Sequence, residues 1–111
     1  MDDQHVPYIV PCECGGKEDV RWLTLTDHQG KGLMVSGFHP FHFDVHRNSV
    51  QDYAQAKHTI DLKFRDQIWL NIDCIHSGVG GDNGWTRNIH PEFQVKPGRY
   101  HYTLTIKPFI K

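Results

Sequence analysis

Apolar residues recur at every second position through most of this chain, the period of a half-buried β-strand rather than of a helix. Residues 100–107 show it most clearly: Tyr100, Tyr102, Leu104 and Ile106 share one face, and His101, Thr103, Thr105 and Lys107 share the other. Residues 21–26 set Leu23 and Leu25 against Trp22, Thr24 and Thr26. Phe41, Phe43 and Val45 alternate with His42, Asp44 and His46, and Ile68, Leu70, Ile72 and Cys74 alternate with Trp69, Asn71 and Asp73. Shorter strands are expected at residues 8–10, 32–36 and 92–95, and residues 61–66 read as a weak strand or an extended crossover. The pattern predicts an all-β, antiparallel fold.

The turn chemistry agrees. The segment His28-Gln29-Gly30-Lys31-Gly32 parts two strand patterns as a hairpin loop does, and Lys96-Pro97-Gly98-Arg99 has the Pro-Gly order of a type II turn. Ser49-Val50-Gln51-Asp52 resembles a capping box with Asp in place of Glu, which predicts one short helix near residues 49–56.

A chain of 111 residues is one domain or a fragment of one, spanning residues 1–111. This length can bury roughly two-thirds of its unfolded surface, but an α/β barrel needs about 250 residues. Twelve Lys and Arg against thirteen Asp and Glu leave a net charge of −1 with no basic run. Electrostatic binding to nucleic acid or to a membrane surface is therefore not expected. No apolar stretch approaches the length of a membrane span and the first residues lack the order of a signal peptide, so a cytoplasmic protein is expected. Cys12, Cys14 and Cys74 have no C-x-x-C spacing, which speaks against a zinc site or a disulfide framework. They are read as free thiols, with one pairing to Cys74 as the alternative.

The segment Ser77-Gly78-Val79-Gly80-Gly81-Asp82-Asn83-Gly84-Trp85 places four glycines among nine positions, so its backbone is built for conformations that a Cβ forbids. It lacks the Gly-Lys-Ser/Thr ending and the following helix of a phosphate-binding loop.

Taken together, the segments resemble the C-terminal part of bacterial β-galactosidases of the large family-2 glycoside hydrolase type. The residues that carry the resemblance run nearly the whole chain: Pro7-Tyr8-Ile9-Val10-Pro11-Cys12-Glu13-Cys14-Gly15, Asp19-Val20-Arg21-Trp22, Gly32-Leu33-Met34-Val35-Ser36-Gly37, Pro40-Phe41-His42-Phe43 and Ala56-Lys57-His58. The most specific are Trp69-Leu70-Asn71-Ile72-Asp73 and the Gly-rich segment through Trp85, followed by Pro91-Glu92-Phe93 and Gly98-Arg99-Tyr100-His101-Tyr102. The resemblance implies part of the last domain of that enzyme, an antiparallel β-sandwich of the galactose mutarotase-like type. It also implies that the catalytic glutamates lie in a barrel outside this chain and that the catalytic metal ligands are not in this stretch, so that the chain alone is inactive. Cofactors are then none in this chain, with Mg and Na expected for the complete enzyme. The implied partners are the remainder of the β-galactosidase chain with its catalytic barrel and a galactoside substrate; a homo-oligomer is expected.

One active-site residue carries over. Trp85 matches a tryptophan that forms a platform for the sugar, and an indole offers a flat apolar face to sugar C–H groups and an N–H to a hydroxyl. Without the resemblance, the same residue reads as a Trp folded over its own sheet edge. Asp82 and Asn83 are expected to set the loop through turn bonds, and Asn71 and Asp73 to hold it from the strand end. Cys14 departs from the family's usual Asn, and Glu13 is read as a structural carboxylate.

Two sharper readings compete with plainer ones. His42, Asp44 and His46 imitate a metal-ligand set, but same-face neighbours on a strand lie about 7 Å apart, and a solvated strand face is expected instead. Asp73, Asp82 and Glu92 could pair as glycosidase carboxylates only across about 5 to 9.5 Å, a geometry that the sequence does not establish. The alternative function is a free-standing carbohydrate-binding or assembly module without catalysis.

Overall fold

The computed structural model describes residues 2–78 and 88–111. Its strands are β1 (Lys17–Thr26), β2 (Lys31–His46), β3 (Trp69–Asp73) and β4 (Leu104–Ile110), with one helix, α1 (Val50–Gln55). Single 3-10 turns lie at Asp2–Gln4, Thr59–Asp61 and Pro91–Phe93. The fold is all-β with one short helix, as the alternation and the capping box predict, and of the sandwich type that the resemblance implies. The strand order is β1, β2, β3, with β4 pairing on β2. The chain divides into two compact units, Met1–Val20 with His42–Ile72, and Arg21–Phe41 with Asp73–Lys111.

The second of these units is built on the β1–β2 hairpin, which Asp27 closes. Its Oδ1 accepts the N–H groups of Gln29 (2.8 Å) and Lys31 (3.0 Å), and its own N–H donates to the Lys31 carbonyl (2.8 Å). Gly30, at φ 76°, supplies the left-handed residue that ends such a loop. Strand β4 runs antiparallel to β2, from Ile110 opposite Lys31 to Leu104 opposite Gly37. Pro108 faces Leu33 in that register and has no N–H to give a further neighbour, which suits an edge strand.

In the other unit, α1 starts on the expected capping box. The Ser49 hydroxyl accepts the Asp52 N–H (3.2 Å) while the Ser49 N–H donates to Asp52 Oδ2 (2.9 Å). The same carboxylate takes a two-pronged contact from Arg65, with Nε donating to Oδ2 at 2.9 Å and Nη2 to Oδ1 at 2.6 Å. The Arg65 guanidinium also lies over the Trp69 ring, 5.8 Å from its centroid. One carboxylate thus caps the helix and ties it to the segment that leads into β3.

Several expectations are corrected. Residues 32–36 and 41–45 are one strand, β2, which passes through Pro40. Residues 92–95 form no strand, because Pro91 starts a 3-10 turn in which the Phe93 N–H donates to the His90 carbonyl (2.9 Å). Residues 8–10 are not a strand either; the Tyr8 N–H turns back on the Val6 carbonyl (2.9 Å). Residues 61–66 leave a 3-10 turn without joining the sheet. Gly98 does not take the positive φ of a type II turn. Strand β4 begins only at Leu104, and Tyr100, Tyr102 and Ile106 of the expected apolar face are exposed. A strand face becomes core only where another layer lies on it.

The buried apolar side chains among the described residues are Leu23, Val35, Phe41 and Tyr53. Trp22 is 61% exposed, Phe38 82% and Ile110 74%. So much open apolar surface, beside an edge strand, favours association. Sedimentation of the 111-residue chain is expected to show concentration-dependent self-association; a monodisperse monomer at high concentration would contradict this. The Arg65 contact, followed by the Ser49 N–H, holds the Asp52 carboxyl well below its ordinary value of 3.8. A depressed carboxyl pKa stabilises the fold fully above its unfolded value and loses that contribution as pH falls toward the lowered one. Asp52→Asn should therefore flatten the loss of thermal stability below about pH 4, while identical acid slopes in variant and parent would remove Asp52 as its cause.

Candidate functional site

Trp85, Asp82 and Asn83 lie outside the described residues, so the structure bears on the base of the Gly-rich loop. There the Gly78 N–H donates to the Phe93 carbonyl at 2.8 Å. A Cβ on Gly78 would come within 2.9 Å of Phe93 Cβ and 3.1 Å of Ile89 Cγ2. Only a glycine lets the two sides of the loop base approach this closely. The Gln94 amide then donates to the Ile89 carbonyl (2.8 Å), and the Pro91–Phe93 turn fixes the returning chain. Residues 78 and 89–94 therefore clamp the segment that carries Trp85 at its two ends.

Strand β3 leads into that clamp. Asn71 donates through Nδ2 to Asp44 Oδ1 at 2.7 Å, so its amide joins β3 to β2. Asp73 closes the strand and is half-buried. Glu92 sits exposed in the 3-10 turn.

A cluster that the alternation misassigned occupies the second half of β2. His42, Asp44 and His46, expected to face solvent, are all buried, His46 at 5% exposure, and Asn48, which continues the same period, is buried at 1%. Other elements of the same unit supply the partners that make this tolerable. Tyr53 of α1 brings its hydroxyl to His46 Nδ1 at 3.3 Å, with the two rings edge to face at 5.3 Å. Asn71 satisfies Asp44, and Asn48 Nδ2 donates to the Lys63 carbonyl at 2.9 Å. An unpartnered buried polar group costs about 1–3 kcal/mol, so these bonds decide which face of the strand turns inward. The signal in the sequence was the polar period itself: it continues through Asn48 into a helix cap, and a helix that starts there lies on that face.

The N-terminal segment reaches the same cluster. Cys14 Sγ accepts the Val6 N–H at 3.2 Å and stands 3.8 Å from His5 Nδ1, so the thiol takes a bond of its own where the resemblance implied a lost amide. The His5 ring sits edge-on to Phe64 at 5.8 Å. His46 Nε2 is buried without a hydrogen bond and lies 3.3 Å from Asp44 Oδ1. Burial, followed by the nearby acidic groups Cys14, Asp44, Glu13 and Cys12, pushes the Tyr53 hydroxyl up to about 12. The phenol is therefore a proton carrier that stays neutral across the physiological range. Glu13 is exposed beside Tyr53, on the rim of a shallow cleft of about 260 Å³ shared with Pro11, Cys12, Val50 and Ala54.

Comparison with known proteins places these features in a family. Residues 1–106 match the family model described as β-galactosidase small chain. A β-galactosidase of Photobacterium profundum is 37% identical over 108 residues, covering 97% of this chain and 10% of the relative. β-Galactosidases of Vibrio vulnificus and of Vibrio cholerae serotype O1 are 39% and 40% identical, with 97% and 96% of this chain covered. The chain spans about a tenth of the length of these relatives. With nearly all of its length inside the match, the chain belongs to the β-galactosidase small-chain family.

Proposed function

We propose that this chain is a non-catalytic, substrate-positioning segment of a β-galactosidase that hydrolyses terminal β-D-galactosides such as lactose. The carrying observation is the clamp at Gly78, Ile89 and Phe93, which fixes both ends of the segment bearing Trp85 in a chain of this family. A platform that meets a sugar ring must be held at its base, because a stacking contact is lost when the ring can swing away. Trp85 supplies the indole face, Asp82 and Asn83 set the turn that presents it, and Asn71 and Asp73 anchor the strand that leads there. The proton transfers belong to two glutamates in a catalytic barrel carried by the rest of the protein.

The partners in this reading are that remainder of the enzyme and the galactoside, and the assembled enzyme is a homo-oligomer. Exposed Trp22, Phe38 and Ile110 are the surfaces from which such contacts would be made. Mg and Na belong to the complete enzyme and not to this segment. The free thiols Cys12, Cys14 and Cys74 fit the cytoplasm.

In the complete enzyme, Trp85→Ala should raise the KM for lactose. Loss of an aromatic contact worth about 0.5–1.5 kcal/mol corresponds to roughly two- to tenfold weaker binding. Trp85→Phe should recover part of it, and unchanged kinetics in the alanine variant would remove the platform role. The 111-residue chain alone should not turn over an aryl galactoside; turnover by the pure chain would overturn the non-catalytic assignment.

A further inference from the structure

We propose that His5, Cys14 and His46 form a binding site for a borderline-soft divalent cation of the zinc class, pinning the N-terminal segment to strand β2. The site lies within one compact unit and does not depend on the galactoside reading.

Each of the three residues offers one ligand atom, and these atoms lie within 4.8 Å of one another. The His5 Nδ1 to Cys14 Sγ distance is 3.8 Å. Two ligands on one tetrahedral zinc, with bonds near 2.0 and 2.3 Å, stand about 3.5 Å apart. The pair is close to that spacing, and a small side-chain rotation closes the remainder.

The donor set selects the metal. One thiolate and two imidazoles suit zinc, cobalt or copper, and do not suit magnesium or calcium. Their surroundings are those of a ligand set. His46 is nine-tenths buried, and its Nε2 has no hydrogen bond, while Nδ1 lies on the Tyr53 hydroxyl. Ligating imidazoles characteristically keep one nitrogen for the metal and fix the ring through the other. The Phe64 ring holds His5 in place, and the Val6 N–H fixes the Cys14 sulfur. Gly15, at φ 72°, makes the turn that brings Cys14 against the start of the chain, and a Cβ there would collide with the Gln4 carbonyl.

Binding forms one metal–sulfur and two metal–nitrogen bonds and releases the Cys14 thiol proton to solvent. The three residues supply three ligands, and a solvent molecule would complete a tetrahedral set.

Cobalt(II) tests the site, because a thiolate ligand gives a charge-transfer band and tetrahedral coordination gives intense visible bands. The full chain, reduced and freed of metal by chelator, is titrated with cobalt and then challenged with zinc. One cobalt per chain with a thiolate band, displaced by one zinc, is expected. Cys14→Ser keeps an acceptor for the Val6 N–H and should abolish the band with circular dichroism unchanged. His5→Ala should weaken binding at least tenfold, and Cys12→Ser should leave it intact. A parent chain without a thiolate band, a band that survives Cys14→Ser, or one lost in Cys12→Ser would each overturn the assignment.

Discussion

The burial of a polar strand face is the constraint on which the rest of this structure depends. His42, Asp44, His46 and Asn48 occupy successive same-face positions running along β2 and just past its end, and all turn inward. Such an arrangement is destabilising unless each group finds a partner. The helix is present in part to supply one, since Tyr53 covers His46. Strand β3 supplies another through Asn71, and residue 63 supplies a third through its carbonyl. The Asp52 carboxylate then holds the helix to the chain that leads into β3, so cap, helix and strand form one connected set.

With polar residues filling this interior, the apolar side chains of the chain have few places to go. Leu23, Val35 and Phe41 are buried, whereas much of the remaining apolar surface faces outward. A sheet face with no second layer on it keeps its apolar side chains in solvent.

Much of the fold was legible in the sequence because strand alternation and capping are local signals. The capping box at Ser49 and Asp52 and the hairpin closed by Asp27 appeared as the residue types require. What failed was the choice of face on β2. Period two says that two faces differ, but which one is buried is decided by what packs on it, and Tyr53 and Asn71 are not sequence neighbours of the strand. The predicted strands at residues 8–10 and 92–95 failed for a different reason: a turn-back at Val6 and a Pro-started 3-10 turn offered their backbone groups nearer partners than a ladder did. Trp85, Asp82 and Asn83 were singled out through the family resemblance, and the clamp that frames their loop is visible only in three dimensions. The gathering of His5, Cys14 and His46 was equally hidden, because His46 is remote from the other two along the chain and no ligand spacing announces them.

In the function we propose, this chain completes a galactosidase without performing its chemistry. The most direct measurement is reconstitution: a form of the enzyme lacking only this segment, assayed on lactose before and after addition of the separate chain. Activity that is low without the segment and returns on titration with it, saturating at one chain per catalytic subunit, is the predicted result. Full activity on lactose without the segment would show that the chain does not complete the enzyme.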